Sequence, residues 1–347
     1  MQITHKILTI GDHFLLPGIM KSSLIRVLPS GLNFTEATTP FPLKPFENIG
    51  EVREASGSED DMIEHLRGIE ICVAHHAPFT KRVLDSSSDL KLVVICRGGP
   101  VNVNLDAATA KNITICNAPG RNAAATAEHA VAMLLATLRG VPAADAAMRR
   151  GHWKGDYTYS SAPFELESAT VGLVGYGAIG RIVARVLKGF GSTVLTYDPF
   201  ATIDSEEGVE QVSLDELLQR SNAISLHARE TPESRGMIGA KQIAQMPRGS
   251  VLVNCARGSL LDYNALYDAL VDGHLYAAAA DVFDQEPLPA DYPLLELPNF
   301  AMTPHIAGGT RQAAHKAADI AAGEVLRFLS HQPLRHCANP AVLAGNV

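Results

Sequence analysis

The chain has 347 residues, of which 46% are hydrophobic and 19% charged, a composition typical of globular proteins and not of disordered ones. Its formal net charge is -8 at neutral pH, and no stretch is rich enough in lysine and arginine to suggest a nucleic-acid partner. No apolar run approaches the roughly 18 residues that span a bilayer. We therefore expect a globular protein that binds neither nucleic acid nor membrane.

The cysteines and the N-terminal stretch indicate the compartment. The five cysteines are odd in number and widely spaced, which favours buried free thiols over a disulfide framework or a metal site. His5 and Lys6 interrupt the start of the chain, where a secretory signal would carry an apolar segment. We expect a cytoplasmic protein without a bound metal.

Short apolar segments alternate with helix-like stretches along the chain and predict strands. They cover residues 6–10, 69–74, 90–96, 113–116, 170–175, 193–197, 223–227, 250–254, 277–283 and 300–303. Such alternation is typical of α/β proteins with mainly parallel sheets. The strands are apolar throughout, which fits sheets covered by helices on both faces. The predicted fold class is α/β with two doubly wound parallel sheets.

Two breaks rich in proline and glycine divide the chain. One follows Asn117, and the other surrounds Pro304 and the pair Gly308-Gly309. We place the domain crossings there, so that residues 118–305 form an inserted domain. Residues 1–117 and 306–347 together form the outer domain. The alanine-rich stretch 123–148 contains good helix formers and predicts one long helix.

A glycine-rich pattern of the form GxGxxG lies inside the predicted middle domain. Gly175, Gly177 and Gly180 follow an apolar strand, and Gly191 is placed to end the helix that comes next. A further strand ends in Asp198, and 198 − 180 = 18 residues separate that carboxylate from the last glycine. The apolar face of the helix is predicted to comprise Ile179, Ile182, Val183, Val186, Leu187 and Phe190.

This pattern predicts a dinucleotide site. Gly175 permits the tight turn, Gly177 admits a pyrophosphate, and Gly180 allows the helix to pack closely on the strand. Asp198 can accept hydrogen bonds from a ribose and would repel a 2′-phosphate, and no arginine lies in residues 199–201. We therefore expect NAD as the cofactor; the alternative is a glycine-rich turn without a ligand. The further cofactor contacts that we expect are Tyr176, Ala178, Ile179, His227, Cys255 and Ala256.

Three ionisable residues follow later strands of the same predicted sheet. Arg257, Glu286 and His305 come after the segments 250–254, 277–283 and 300–303, respectively. The carboxyl ends of parallel strands share one edge, where ligands bind. A histidine can give a proton to a carbonyl oxygen, a carboxylate beside it favours its protonated form, and an arginine can bind a substrate carboxylate. Each residue taken alone could instead be an ordinary loop residue.

The chain resembles the D-isomer-specific 2-hydroxyacid dehydrogenase family, close to its phosphoglycerate dehydrogenase-like members. The resemblance implies an enzyme that transfers a hydride between NAD(H) and a small D-2-hydroxy acid or 2-oxo acid. It also implies a Rossmann NAD domain inserted into a flavodoxin-like substrate domain. The stretches that carry it are 96–108 (CRGGPVNVNLDAA), 117–135 (NAPGRNAAATAEHAVAMLL), 175–180 (GYGAIG), 226–238 (LHARETPESRGMI), 251–262, 280–287 and 303–309.

Individual roles follow from the resemblance. Arg257 would bind substrate, Glu286 would support the histidine, and His305 would be the acid/base. Asp281 would meet the nicotinamide carboxamide. The same resemblance implies a homodimer formed through the helix after residue 117.

The substrate-binding side of the chain departs from the family pattern. The backbone around Gly98 and Gly99 would receive the substrate carboxylate, but this loop is about two residues shorter than usual. His75 and His76 stand where phosphoglycerate dehydrogenases tend to carry an arginine, which argues against phosphoglycerate as substrate. Successive strand residues point to opposite faces, so we expect only one of the two histidines to meet substrate.

Two alternatives share the fold. An NAD(H)-sensing corepressor of the C-terminal binding protein type keeps similar catalytic residues. A formate or phosphite dehydrogenase would change the chemistry. Formate dehydrogenases of this fold carry glutamine at the position of Glu286, which argues against formate.

Overall fold

The computed structural model describes residues 5–153, 158–159, 162–203 and 208–346. The chain divides into two compact units, here called the first unit (Met1–Asn122 with Gly309–Val347) and the second unit (Ala123–Gly308). These divisions fall a few residues beyond the predicted crossings at 117/118 and 305/306.

The first unit is a five-stranded parallel sheet with the strand order β2-β1-β5-β6-β7, the order of flavodoxin-like folds. A separate antiparallel hairpin is formed by β3 and β4. The elements are β1 (Lys6–Gly11), α1 (Pro17–Val27), β2 (Asn33–Thr38), β3 (Glu47–Ile49), β4 (Val52–Ala55), α2 (Glu59–His65), β5 (Ile71–Ala74), α3 (Lys81–Asp85), β6 (Leu92–Ile95), α4 (Leu105–Ala110), β7 (Thr114–Asn117), α11 (Arg311–Leu329) and a 3-10 helix (Pro340–Asn346).

The second unit is a seven-stranded parallel sheet with the order β10-β9-β8-β11-β12-β13-β14, which is the Rossmann order extended by one strand. Its elements are α5 (Ala123–Leu138), α6 (Val141–Arg149), β8 (Thr170–Val174), α7 (Ala178–Gly189), β9 (Thr193–Tyr197), β10 (Glu210–Gln211), α8 (Leu214–Arg220), β11 (Ala223–Leu226), α9 (Ala240–Ile243), β12 (Ser250–Asn254), α10 (Tyr263–Val271), β13 (Leu275–Ala280), β14 (Phe300–Met302) and two 3-10 helices (Gly258–Leu260 and Pro293–Glu296). Two doubly wound parallel sheets confirm the predicted fold class.

Helices cover both faces of each sheet, so the central strands are buried on both sides. β5, β6, β11 and β12 are buried at every residue, which explains why they are apolar without interruption. The apolar stripe of α11 is built from alanines (Ala314, Ala317, Ala318, Ala321 and Ala322), which let this helix lie close against the sheet of its own unit. The four core clusters therefore lie two to a unit, one on each face of the sheet.

Several local predictions are wrong. The stretch 123–148 is two helices, because Gly140 takes a left-handed conformation (φ 60°) and the chain bends by 65° between α5 and α6. Of the predicted apolar face of α7, Val183 and Leu187 are buried and Ile179 and Ile182 are partly buried, but Val186 and Phe190 are exposed. The sequence pattern misses β2, whose residues are mostly polar because it is an edge strand with solvent beside it.

Among the described residues, no single helix has the length and apolar character needed to cross a membrane. The bent pair α5 and α6 passes the same criteria by length and composition alone.

Candidate active site

The glycine loop joins β8 to the start of α7 and leaves room for a ligand. Gly175 has φ 102°, and a Cβ atom there would lie 2.6 Å from the backbone of His227 and Ala228, so only glycine fits this turn. A Cβ on Gly180 would lie 2.3 Å from the carbonyl oxygen of Gly175, whereas one on Gly177 would meet nothing within 4 Å. Close packing on one side and open space on the other are what a bound pyrophosphate needs.

Asp198 follows β9 and ties the glycine loop to the end of that strand. Its Oδ2 accepts a hydrogen bond from the Tyr176 backbone N–H at 2.7 Å, and its Oδ1 accepts one from Phe200 at 2.9 Å. Residues 199–201 hold no arginine, as the sequence shows, but an arginine of α7 contacts the segments on either side of Asp198. Arg181 reaches over from α7, lies 4.6 Å from the Tyr176 ring centroid and donates to the carbonyl oxygen of Thr202 at 2.8 Å.

His227 lies directly after β11, with its backbone N–H bonded to the carbonyl oxygen of Val174 at 2.7 Å. Both of its ring nitrogens are buried and have no hydrogen-bond partner among the described residues. Burial lowers the pKa of His227 to about 4, so the ring is neutral at pH 7. A buried polar ring without a partner, next to the open glycine loop, fits a bound polar cofactor.

The loop after β12 carries three residues of the predicted site. Cys255 and Ala256 are buried, and Arg257 is exposed, with its Nη1 donating to the carbonyl oxygen of Ala256 at 2.7 Å. Asn254 holds this loop, since its side chain donates to the carbonyl oxygen of Arg257 at 2.9 Å. A Cβ on Gly258 would overlap the carbonyl group of Phe283. The Arg257 turn is therefore fixed against the segment that leads to Glu286.

His305 and Glu286 form a hydrogen-bonded pair. Nδ1 of His305 lies 2.7 Å from Oε2 of Glu286, whose Oε1 accepts from the Phe283 backbone N–H at 2.9 Å. Burial of the ring opposes its protonation, but the hydrogen bond and charge of Glu286 outweigh burial. The pKa of His305 therefore lies above its ordinary value, although the charge of Arg257 works in the other direction.

Asp281 holds the loop that presents His305. Its buried carboxylate accepts hydrogen bonds from the Thr303 hydroxyl at 2.6 Å and from the backbone N–H groups of Ile306 and Ala307, each at 2.9 Å. His305 itself has φ 52°, a left-handed conformation that costs a non-glycine residue about 1 kcal/mol or more. The contacts of Asp281 therefore stabilise a loop in which His305 has an unusual backbone conformation. That it also meets the cofactor remains a prediction.

The loops after β8, β9, β11, β12, β13 and β14 all leave the carboxyl ends of parallel strands in one sheet. The predicted residues of the second unit thus share one sheet edge. His129 of α5 is a further member that the sequence pattern did not predict. Its Nε2 lies 2.9 Å from the Thr303 hydroxyl.

The two histidines of the first unit converge on one carboxylate. Nδ1 of His75 lies 2.6 Å from Oδ2 of Asp12, and Nδ1 of His76 lies 3.1 Å from the same oxygen. The expectation that the two side chains point to opposite faces is wrong, because β5 ends at Ala74 and the histidines lie in the turn that follows. Asp12, which sequence reasoning missed, therefore organises both rings.

Electrostatics in this cluster differ from those of the His305 pair. Burial, followed by the charge of His76, lowers the pKa of His75 to about 3 despite its bond to Asp12, and burial also lowers the pKa of His76. Burial alone would raise the pKa of Asp12, but the two histidines and the Leu15 backbone N–H hold it well below its usual range. At neutral pH the cluster is a carboxylate that accepts from two neutral rings.

Gly98 and Gly99 lie in the loop after β6, at the carboxyl edge of the first unit's sheet. A Cβ added to either would meet nothing within 4 Å, so their backbone is accessible. The side chain of Asn117 donates to the carbonyl oxygen of Gly98 at 2.7 Å. This places the predicted carboxylate-binding backbone at the same sheet edge as His75 and His76.

Comparisons with known proteins decide the family. Residues 131–307, about half of the chain, match the model of the NAD-binding domain of D-isomer specific 2-hydroxyacid dehydrogenases. This chain belongs to that family. The match falls on the second unit, which contains the glycine loop. The second unit is therefore the NAD-binding domain of this chain.

Named relatives agree with this assignment. The chain is 36% identical over 302 residues to a D-3-phosphoglycerate dehydrogenase of Methanocaldococcus jannaschii, covering 86% of this chain and 57% of that protein. It is 37% identical over 279 residues to a glyoxylate reductase of Korarchaeum cryptofilum, covering 79% and 84%, respectively. The chain thus spans about half the length of the first phosphoglycerate dehydrogenases that it matches.

A solved structure extends the likeness to nearly the whole chain. The TT0316 protein from Thermus thermophilus superposes with a TM-score of 0.79 and 29% identity, covering 96% of this chain and 99% of that one. Both units therefore share the fold of that structure.

Proposed function

We propose that this protein is an NAD-dependent D-2-hydroxyacid dehydrogenase that interconverts a small 2-hydroxy acid and its 2-oxo acid. The single observation that carries the proposal is the His305–Glu286 pair at 2.7 Å, placed at the sheet edge that also holds the glycine loop. An ion-paired histidine with a raised pKa, near an NAD-binding loop, suits proton transfer coupled to hydride transfer. Family membership supports the same reaction.

NADH, if held at the loop of Gly175, Gly177 and Gly180, would supply the hydride that C2 of the oxo acid accepts in the reductive direction. His305 supplies the proton. Glu286 accepts a hydrogen bond from Nδ1–H, so Nε2–H of the imidazolium is left to donate to the carbonyl oxygen at C2. The ring becomes neutral as the hydroxyl forms, and in oxidation it takes the same proton back.

Arg257 is proposed to bind the substrate and to polarise the reacting carbonyl. Its guanidinium is exposed and close enough to His305 to oppose protonation of that ring. A cation there also stabilises negative charge that develops on the carbonyl oxygen. The substrate carboxylate is proposed to bind the accessible backbone N–H groups of Gly98 and Gly99.

The cofactor is proposed to be NADH in preference to NADPH. Asp198 follows the strand after the glycine loop, where a carboxylate accepts hydrogen bonds from a ribose and repels a 2′-phosphate. Arg181 lies nearby, but its Nη2 is already bonded to the carbonyl oxygen of Thr202. His227, with two unpartnered buried nitrogens, is proposed as a further cofactor contact.

We also propose a homodimer. Helix α6 has no buried residue, and Val141, Met148 and Trp153 are exposed along this segment. Exposed apolar side chains on one short segment are typical of an interaction surface. Light scattering on the purified protein should give twice the chain mass of 37.0 kDa, and Met148→Glu should shift the mass to that of one chain.

The reaction is tested with a panel of 2-oxo acids, including glyoxylate, hydroxypyruvate and phenylpyruvate, each assayed with NADH and with NADPH. We expect reduction of at least one acid, with NADH as the better cofactor, and Asp198→Ala should narrow that preference. A protein that reduces none of the acids is not the proposed enzyme. Equal use of both cofactors would remove Asp198 from the ribose site.

A further inference from the structure

A partly buried arginine, Arg121, stands at the carboxyl edge of the first unit's sheet. Nε and Nη1 of Arg121 are buried and have no hydrogen-bond partner among the described residues. Its third nitrogen, Nη2, lies 3.5 Å from Nε2 of His75. Arg121 forms no ion pair with any carboxylate in the described part of the chain. Neither the sequence motifs nor the proposed mechanism assign it a role.

The charge of this arginine persists at neutral pH. Burial, helped by the nearby charge of Arg97, lowers the pKa of Arg121 to about 10, so the guanidinium remains protonated at pH 7. Arg97, unlike Arg121, already has an anionic partner, because it forms an ion pair with Glu54 and donates to that residue's carbonyl oxygen at 3.1 Å. The charge of Asp12 acts on Arg121 but no carboxylate accepts from its Nε or Nη1 among the described residues, and buried donors of a cation are costly to leave unused.

The hydrogen-bond directions indicate that the unused donors of Arg121 suit an anion, and that the Asp12 cluster beside it does not suit a metal ion. Asp12, His75 and His76 have ligand atoms close enough together to hold one metal ion. However, arginine can only donate, so Nε2 of His75 faces Arg121 with its lone pair. Nδ1 of His75 then carries the proton and donates to Asp12. A protonated nitrogen is not a metal ligand, and the two arginines repel a cation.

Arg121 also lies next to the loop that is proposed to bind the substrate carboxylate. The side chain of Asn117 donates to the carbonyl oxygen of Gly98, and the backbone N–H of Ala118 donates to that of Arg97, both at 2.7 Å. These bonds fasten the segment that leads to Arg121 against the loop of Gly98 and Gly99. The glycines have open space where a side chain would be.

We propose that Arg121 binds a second anionic group, a carboxylate or a phosphate, at the far end of the substrate. The preferred substrates are then 2-oxo acids that carry two anionic groups. His75 orients the guanidinium through its Nε2, and Asp12 fixes the tautomer of His75. His75 and His76 stand where an arginine is usual and argue against phosphoglycerate as the substrate, but Arg121 brings a cation to within 3.5 Å of Nε2 of His75. This inference names the substrate class of the proposed reaction and rests on that proposal.

The test compares acids that differ only at the far end. The pairs are 2-oxoglutarate with 2-oxovalerate, and 3-phosphohydroxypyruvate with hydroxypyruvate. Dissociation constants are measured by calorimetry on the full chain saturated with NAD⁺, so that no hydride can be transferred. In the wild type we expect the dianionic member of at least one pair to bind roughly 10- to 100-fold more tightly. The pair that shows the preference tells carboxylate from phosphate.

Arg121→Gln should bring the ratio of the two dissociation constants within a pair close to 1. Arg121→Lys should retain part of the preference for the dianionic acid. The control is Arg67→Gln, which removes the same charge from an exposed residue and should leave the ratio as in the wild type. Equal binding within both pairs in the wild type would overturn the proposal. It would also be overturned if Arg121→Gln weakened both members of a pair equally, since Arg121 would then bind the shared carboxylate. Turnover with NADH, measured separately, reports on the proposed reaction itself.

Discussion

The protein pairs histidine with a carboxylate in both of its units, and the two pairings have opposite effects on the histidine. In the second unit, Glu286 raises the pKa of His305. In the first unit, His75 bonds to Asp12 at a similar distance, yet its pKa falls to about 3. The same two chemical groups are paired in both units, so their surroundings decide whether the pKa of the histidine rises or falls.

The surroundings differ in burial and in charge. The side chain of His305 is 31% exposed, whereas that of His75 is 1% exposed. In addition, Asp12 is shared between two rings, and Arg121 lies on the far side of His75. A carboxylate raises the pKa of a histidine only where burial and neighbouring cations do not outweigh it. One histidine is thus suited to proton transfer and the other to fixed orientation.

The largest expected effect is on catalysis. His305→Ala should lower kcat/KM by roughly 10²- to 10⁴-fold, because the proton donor is lost. His75→Ala should cost about 10-fold or less, the scale of one lost hydrogen bond, and should appear in KM. Steady-state kinetics with a fluorescence titration of NADH checks both variants. Equal losses in kcat for the two variants would contradict the division of roles.

The second effect is on stability. Asp12→Asn should lower the free energy of unfolding by about 3 kcal/mol at pH 7, because it removes the charge of a fully buried group that accepts several hydrogen bonds. The pKa of folded Asp12 lies below that of the unfolded chain. The stability that the Asp12 carboxylate contributes is therefore fully present above its pKa in the unfolded chain. It is lost as the pH falls toward its pKa in the folded chain. Glu286→Gln, at a partly exposed pair, should cost within about 1 kcal/mol.

Urea unfolding of the wild type and both variants at pH 7 and at acid pH measures these differences. The gap between the wild type and Asp12→Asn should narrow as the pH falls. Similar stabilities for Asp12→Asn and Glu286→Gln at pH 7 would show that burial does not distinguish the two carboxylates.

The sequence predicts the His305 pair better than the Asp12 cluster, for a physical reason. Arg257, Glu286 and His305 directly follow apolar strands, and parallel sheets bring such ends to one edge whatever the side chains do. Asp12 gives no comparable signal, because it meets His75 only after β1 and β5 have paired.

Other failures have local causes. The prediction of one helix over residues 123–148 rested on their alanine-rich composition and took no account of Gly140 and Pro142, where α6 begins. The approach of Arg181 to the Asp198 loop and the unused donors of Arg121 depend on side-chain directions. No spacing along the chain encodes those directions.

The central claim is that Glu286 sets the pKa of His305, and the pH dependence of kcat/KM in both directions tests it most directly. Reduction needs protonated His305 and should fall as pH rises through its pKa, whereas oxidation needs the neutral ring and should rise. Glu286→Gln removes the charge, so both limbs should move to lower pH by about one unit or more. The exposed Glu296→Gln should not move them. Profiles of Glu286→Gln that coincide with those of the wild type would contradict the claim.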